Sequence, residues 1–342
     1  MYSLDTISEI NFEISSHCNS KCPQCPRYDM FGQVQKDLRE THLDPNIIFQ
    51  LPLNKMKNLQ SVVLCGNFGD PLMHPDLDKI LEFFKNQQIV ISTNASLRSR
   101  DWWTQLGNNK NIEVIFCIDG IGSTHELYRR NTQYEKIMQN ARAFISAGGK
   151  ARWQFIVFRH NEHQLAEAKK LSKDMGFLGV DFIYSDRFDT KNKWKVYDKG
   201  KYLYDLEKST HQTTLRESLN SVEGEKYWKS LFKNRGTITC VWNMKNRIYI
   251  HSDGTVYPCC MLGSVQSGKN IEKMLLKKIV KDFSSIDLHH HALEDILASA
   301  VYTKYIPDSF EGDPFTHPAC IEWCNKNTGK SYFDISVPSD KQ

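Results

Sequence analysis

Between residues 9 and 186 six short, apolar, β-branched runs alternate with longer amphipathic stretches, and this alternation constrains the fold more than any other feature. The runs cover 10–15, 61–65, 89–93, 112–118, 152–158 and 180–184. Helical periodicity occupies 76–86, 134–147 and 164–175, with stop signals at Gly148, Gly149 and Gly176. Such βα units in succession predict a parallel sheet with helices outside it. Six of them suit an α/β fold built as a partial (β/α)6 TIM-like barrel better than the eight of a closed one. Chemistry in such folds gathers at the carboxyl ends of the strands, so the segments that follow each run are the ones to read for function.

The chain has 342 residues, beyond the ~250–300 at which one core stops growing, which predicts a large domain over 1–186 and smaller units after it. Residues 187–236 are rich in Lys, Tyr, Trp, Asp and Glu and read as a helical bridge with solvated charges. In 237–342, the runs 247–250 and 255–257 flank Ser252, Asp253 and Gly254 as a hairpin, 270–300 reads as helical, and the end from 307 as loop. With 40% hydrophobic and 25% charged residues the composition is that of a globular protein. The net charge of +4 is scattered, which gives no argument for a nucleic-acid partner. The sequence holds no run of ~18 apolar residues for a membrane span and no signal-peptide pattern at its start, so a cytoplasmic location is expected.

Ten cysteines carry most of the functional information. In a reducing compartment, clustered cysteines are read as metal ligands or catalytic groups before disulfides. Cys18, Cys22 and Cys25 form a CxxxCxxC loop directly after the first run. Three thiolates on one loop suit zinc, Cu(I) or an iron–sulfur cluster. A structural zinc needs a fourth ligand, for which His17 is the neighbouring candidate. A cubane cluster held by three cysteines leaves one iron open, as catalysis requires. Cys65 and Cys117 stand alone inside apolar runs and read as packing residues.

The CxxxCxxC loop resembles the signature of the radical SAM superfamily. The resemblance implies that Cys18, Cys22 and Cys25 hold a [4Fe–4S] cluster whose fourth iron is chelated by S-adenosylmethionine (SAM). One electron then cleaves SAM to a 5′-deoxyadenosyl radical that abstracts hydrogen from a substrate. Gln24 stands where the family often has an aromatic residue. Gly66-Asn67-Phe68-Gly69-Asp70-Pro71 resembles the family's Gly-Gly-Glu-Pro motif, with Asp70 in place of Glu, and implies that Gly69 and Asp70 meet the SAM amino group. His74-Pro75-Asp76-Leu77 matches the usual continuation, and Asp76 is expected to cap the following helix. Asn94 ends the third strand as in the family. Asp119, followed by His125 and Arg129, implies contacts to ribose or substrate and to the SAM carboxylate, for which a guanidinium fork is suited. Cys117 occupies a position where the family often has Ser. Gln154, on the fifth run, is expected to line the site. The likeness covers residues 9–185.

Cys240, Cys259, Cys260, Cys320 and Cys324 form the second cluster. Gly254 and Cys259 after a hairpin resemble the opening of a SPASM or shorter twitch domain, and imply one auxiliary [4Fe–4S] cluster held by Cys240, Cys259, Cys320 and Cys324. Cys260 is an alternative to Cys259, and a four-cysteine zinc site would fold the module equally well. His289, His290 and His291 read as a solvated run, because adjacent helical residues face different ways. The aromatic, Lys-rich segment 191–233 reads as a charged linker face, with covering of the substrate as a second reading.

The resemblance implies a radical SAM enzyme that modifies a peptide or protein side chain and takes electrons from a reducing partner such as flavodoxin or ferredoxin. A small metabolite or sugar-like substrate, or a non-enzymatic zinc or iron–sulfur protein, are the competing readings.

Overall fold

The computed structural model describes residues 2–185, 187–189, 191–211, 238–267, 270–312 and 315–324. Six parallel strands appear where the sequence places them: β1 (Glu9–Phe12), β2 (Ser61–Leu64), β3 (Gln88–Thr93), β4 (Ile112–Cys117), β5 (Lys150–Val157) and β6 (Val180–Tyr184). They lie side by side in sequence order, with β6 at one edge of the sheet.

Alternation on each strand sorts the side chains. On β5, Ala151, Trp153, Phe155 and Val157 are fully buried, whereas Arg152, Gln154 and Ile156 point to the other face. The buried face packs on helices such as Tyr134–Ser146, whose Tyr134, Ile137, Met138, Ala141 and Phe144 recur at helical spacing. Trp103, Phe116 and Phe144 meet there at centroid separations of 5.2–6.1 Å. Full burial of an aliphatic or Phe side chain stabilises the fold by about 1.5–3 kcal/mol.

The inward face of the sheet is polar at the amino ends of its strands. Arg247 pairs with Glu9 at 3.1 Å, and Arg152 lies between Glu113 and Asp181 at 3.3 and 3.7 Å. These ion pairs fill the closed end and leave the carboxyl ends for chemistry.

Helix stops fall as expected, with Gly176 left-handed at φ +86°. The helix Arg100–Gly107, capped by Ser99, has no counterpart in the sequence reading. Asp76 occupies the N-cap position of Leu77–Phe83, but its carboxylate takes Lys79 Nζ at 2.7 Å and caps no backbone N–H.

Three readings change. The described part of the 187–236 bridge is a β-hairpin, β7 (Lys193–Asp198) and β8 (Lys201–Glu207), not a helix. Trp194, Val196, Tyr204 and Leu206 alternate onto an inner face beneath the outward lysines, and Lys199-Gly200 makes the turn with both φ positive. Residues 212–237 lie outside the described residues. The 270–300 stretch is not one helix: it divides into Asn270–Val280, a 3-10 turn Phe283–Ile286 and Leu293–Ala298. Beyond 307 the chain is helical at Ile306–Glu311 and Pro318–Cys324 where loop was expected.

The C-terminal hairpin, β9 (Arg247–Ile250) and β10 (Val256–Tyr257), joins the main sheet. β9 pairs parallel with β1, Phe12 opposite Ile250, and β10 forms the other edge, giving the order β10-β9-β1-β2-β3-β4-β5-β6. Among the described residues no helix is long and apolar enough to cross a membrane.

Candidate functional site

The cysteine loop leaves the carboxyl end of β1 and is tied down on all sides. Arg27, 3% exposed, donates to the carbonyls of Ser16 and Phe68 and pairs with Glu40. Gln24 holds the loop to the segment after β6: its Nε2 donates to Arg187 O at 2.8 Å, and its Oε1 accepts from Ser185 Oγ at 2.6 Å. The role of this side chain is therefore to anchor, which needs no aromatic ring.

Three polar groups reach the thiols. Asn94 Nδ2 lies 3.8 Å from Cys18 Sγ, and Arg129 Nη1 lies 3.8 Å from Cys22 Sγ. Ser20 Oγ is 3.1 Å from Cys22 Sγ. Burial pushes the Cys18 thiol well up and Cys25 up to about 11. Ligation therefore has to displace protons from these two sulfurs. His17 is turned away: its ring packs tilted against His42 at 4.5 Å with Nδ1 3.6 Å from Glu40. The inner face of the β7–β8 hairpin, with Tyr128, Phe158 and Phe188, packs over Cys22 and partly over Cys25 and shields this side of the loop from water.

The 66–70 segment follows β2 and presses on the cysteine loop backbone to backbone. A Cβ on Gly69 would come 1.8 Å from Ser15 O, so only glycine permits the approach. Asp70 is 4% exposed and its carboxylate is engaged by three protein donors. Oδ1 accepts from Leu72 N–H at 3.0 Å and Thr93 Oγ1 at 2.8 Å; Oδ2 accepts from Asn94 N–H at 2.8 Å and the same hydroxyl at 2.9 Å. Burial pushes this carboxyl upward while the hydrogen bonds pull it back. Three donors, two backbone N–H groups and one hydroxyl shared between the oxygens, engage the carboxylate, so Asp70 joins the loop to β3.

Asp119, after β4, is fully buried; Oδ1 accepts from Ile156 N–H at 2.6 Å and Oδ2 from Arg129 Nε at 2.5 Å. Arg129 thus spans Asp119 and Cys22, with its second terminal nitrogen not used in either contact. His125 Nδ1 accepts from Asp119 N–H, and burial drives its pKa down to about 3, so it stays neutral. Gln154 projects inward beside Cys117, Oε1 to Sγ 3.7 Å, with Ser92 Oγ at 3.6 Å. Cys65 and Cys117 therefore belong to the inward face and not to the helix–sheet core.

Sequence reasoning missed Glu13, the first residue after β1. Its carboxylate is fully buried; Oε1 accepts from the N–H groups of Phe68 and Gly69 at 2.7 and 3.0 Å, and Oε2 from Tyr249 OH at 2.8 Å. A charge inside an apolar strand run is the signal that could have exposed it, because buried charges need partners.

In the C-terminal module Cys240, Cys259, Cys320 and Cys324 line one small apolar cavity with Trp242, Phe310 and Trp323. A hydrogen bond from Cys324 lowers the Cys240 pKa. Cys260 is not among the lining residues; its surroundings are Cys65 and Glu13. Four thiols around an apolar cavity are a donor set that fits an iron–sulfur cluster. Among the described residues no three His, Cys, Asp or Glu side chains converge tightly enough to hold a single metal ion. The three histidines 289–291 sit in an exposed turn, with His289 Nδ1 2.7 Å from Asp287.

Comparison with known proteins agrees with this architecture. Residues 240–326 match the SPASM family, an iron–sulfur cluster-binding domain. Pre-heme d1 synthase of Dinoroseobacter shibae is 26% identical over 203 residues, 56% of this chain and 47% of the relative, so the chain spans about half the length of that curated relative. Two solved structures share the fold. They are anSMEcpe with bound AdoMet (TM-score 0.57, 16% identity, 93% of this chain and 89% of that one) and Streptococcus suis SuiB bound to precursor peptide SuiA (TM-score 0.56, 15% identity, 88% and 67%). The chain is thus similar to these proteins in fold, and over residues 240–326 it matches an iron–sulfur cluster-binding SPASM domain.

Proposed function

We propose that the protein is a radical SAM enzyme that modifies a peptide or protein side chain. The observation that carries this is the CxxxCxxC loop at the carboxyl end of β1, with Arg129 on Cys22 and Asn94 on Cys18. Cys18, Cys22 and Cys25 would hold the catalytic [4Fe–4S] cluster, and Cys240, Cys259, Cys320 and Cys324 an auxiliary one. When bound, the reduced cluster supplies the electron that cleaves SAM to methionine and the 5′-deoxyadenosyl radical that takes a hydrogen atom from the substrate.

The chain's residues bind and orient. Arg129, steadied by Asp119 through Nε, directs its remaining donors toward the SAM carboxylate. Backbone carbonyls of the 66–69 segment receive the SAM amino group, since the buried Asp70 carboxylate is already committed to Leu72, Thr93 and Asn94. Asn94 stays against Cys18, and Gln154 and Cys117 line the space where substrate meets the nucleoside. The apolar cover from β7–β8 keeps water and oxidants from Cys22.

A peptide substrate is favoured by the peptide complexes among proteins of this fold, SuiB with SuiA and anSMEcpe with Kp18Cys peptide. A small-molecule substrate is the second reading, favoured by the sequence relative named pre-heme d1 synthase. A small electron-carrier protein of the flavodoxin or ferredoxin type, in a reducing cytoplasm, would supply the electron.

Anaerobic reconstitution tests the reading. Reduced protein with SAM is expected to form 5′-deoxyadenosine, and Cys22→Ala to abolish it, whereas Cys324→Ala alters the auxiliary site. Bound zinc with no SAM cleavage, or full cleavage by Cys22→Ala, overturns it. Mass spectrometry of peptide and small-molecule candidates then separates the two substrate classes.

A further inference from the structure

We propose that Glu13, Tyr249 and His251 are positioning residues through which the C-terminal iron–sulfur module sets the conformation of the 66–70 segment. The inference rests on the reading that this segment receives SAM.

β9 lies beside β1, and the pairing continues past the strand ends, where Glu13 N–H donates to Ile250 O at 2.9 Å. That register brings Tyr249 and His251 over the Glu13 carboxylate. One carboxylate oxygen is committed to the N–H groups of Phe68 and Gly69, the other to Tyr249 OH. His251 Nε2 is 3.3 Å from the same second oxygen, and its Nδ1 is 2.9 Å from Asp253 Oδ1. The imidazole therefore lies between two carboxylates, one from each side of the junction.

A second strand of contacts runs through Asn67. Its Nδ2 donates to Tyr249 OH at 3.1 Å and to Cys260 O at 2.9 Å, so the middle of the segment is held by the residue next to Cys259. The Phe68 ring stands edge-on to His251 at 6.0 Å. Gly263 leaves room for the Tyr249 ring, since a Cβ there would lie 2.4 Å from it. Glu13 and Tyr249 are fully buried and His251 is 3% exposed, so water cannot substitute for a lost partner. Among the described residues, none of the three hydrogen-bonds or ion-pairs with the CxxxCxxC thiols. They act on SAM through the backbone of Phe68 and Gly69.

The test uses full-length, cluster-loaded protein and two variants, Tyr249→Phe and His251→Gln. Each keeps the volume and removes part of the hold on Glu13. SAM binding is followed through its perturbation of the reduced-cluster EPR signal, with iron and sulfide content as the control. The expected result is about a tenfold rise in the SAM dissociation constant and in KM for SAM, ahead of any fall in kcat, at wild-type iron content. SAM affinity within twofold of wild type in both variants overturns the proposal, as does a loss of iron that accounts for the whole effect. A wild-type protein that binds no SAM removes the underlying reading instead. Wild-type binding with unchanged variants removes this proposal alone.

Discussion

Asp70→Asn puts the geometry of the SAM segment to its sharpest test. The Asp70 carboxylate accepts from two backbone N–H groups, on Leu72 and Asn94, and shares the Thr93 hydroxyl between its oxygens. An amide offers one acceptor oxygen, so the variant leaves one of those N–H groups facing an NH2. A buried donor without an acceptor costs about 1–3 kcal/mol. The surviving bonds also lose the charge that makes them roughly twice as strong as neutral ones. The sum is about 3 kcal/mol, on the order of 100-fold in an equilibrium constant.

That cost falls on the join between the 66–70 segment and the end of β3. The cysteine loop also has anchors of its own, Arg27 to Ser16 O and Gln24 to Arg187 O. Asp70→Asn is therefore expected to weaken SAM binding 30- to 100-fold, about 2–3 kcal/mol, with iron and sulfide content unchanged. Anaerobic equilibrium binding to the reconstituted protein measures it. Asp70→Glu is the informative partner, since it restores the residue usual in the family. Its extra methylene enters a filled, buried site, where overpacking costs about 1–3 kcal/mol, so it too should bind SAM more weakly. Wild-type affinity in Asp70→Asn would refute the strut, and tighter binding in Asp70→Glu would refute it and restore the carboxylate as a direct ligand.

Other outcomes follow from single contacts. Arg129→Met leaves buried Asp119 without its cation; breaking a buried pair costs about 3–5 kcal/mol, which should lower the thermal midpoint by about 10 °C, and adding Asp119→Asn should recover part of it in the same melt. Gly69→Ala has no space for its Cβ against Ser15 O, so it should abolish SAM binding in the EPR assay while thiol titration still counts the cysteines. Glu162, half-buried after β5, is pushed up by desolvation, but Ser209, Thr210 and Arg159 more than offset this and hold its pKa at about 2. A depressed carboxylate stabilises above its unfolded value of 4.5 and loses that contribution as pH falls toward 2. Protease sensitivity of the β7–β8 hairpin should thus rise over that window, and Glu162→Gln should show the high sensitivity already at pH 7.

The six barrel strands were legible because period-two burial writes itself as runs such as ARWQFIV, in which Trp153 and Phe155 alternate with Gln154. The cysteine loops were legible from spacing, and the structure places Cys259, not Cys260, on the lining of the C-terminal cavity. The β7–β8 hairpin was not, because Lys193, Lys195, Lys199 and Lys201 dominate the composition while Trp194 and Val196 carry the pattern. Asp70 was matched to a motif by its type, and its engagement with Thr93 and Asn94 could not be read from spacing, because β3 is some twenty residues away. Glu13 was passed over for the converse reason: inside a hydrophobic run its charge looked incidental, although a charge there survives only with partners.

Those partners change what the C-terminal module is. A hairpin that merely followed the barrel would leave β1 as an edge strand, with unpaired N–H and C=O groups open to water. β9 covers that edge in register from Glu9 to Phe12, so the strand that launches the cysteine loop is paired on both sides. The carboxyl end of β1 is then fixed by β2 on one flank and by the iron–sulfur module on the other. Glu13, at that end, ties both flanks to the same two backbone amides. A change around Cys259 has a short route to the 66–70 segment, partly buried through Cys260 O to Asn67 and fully buried through Tyr249 to Glu13.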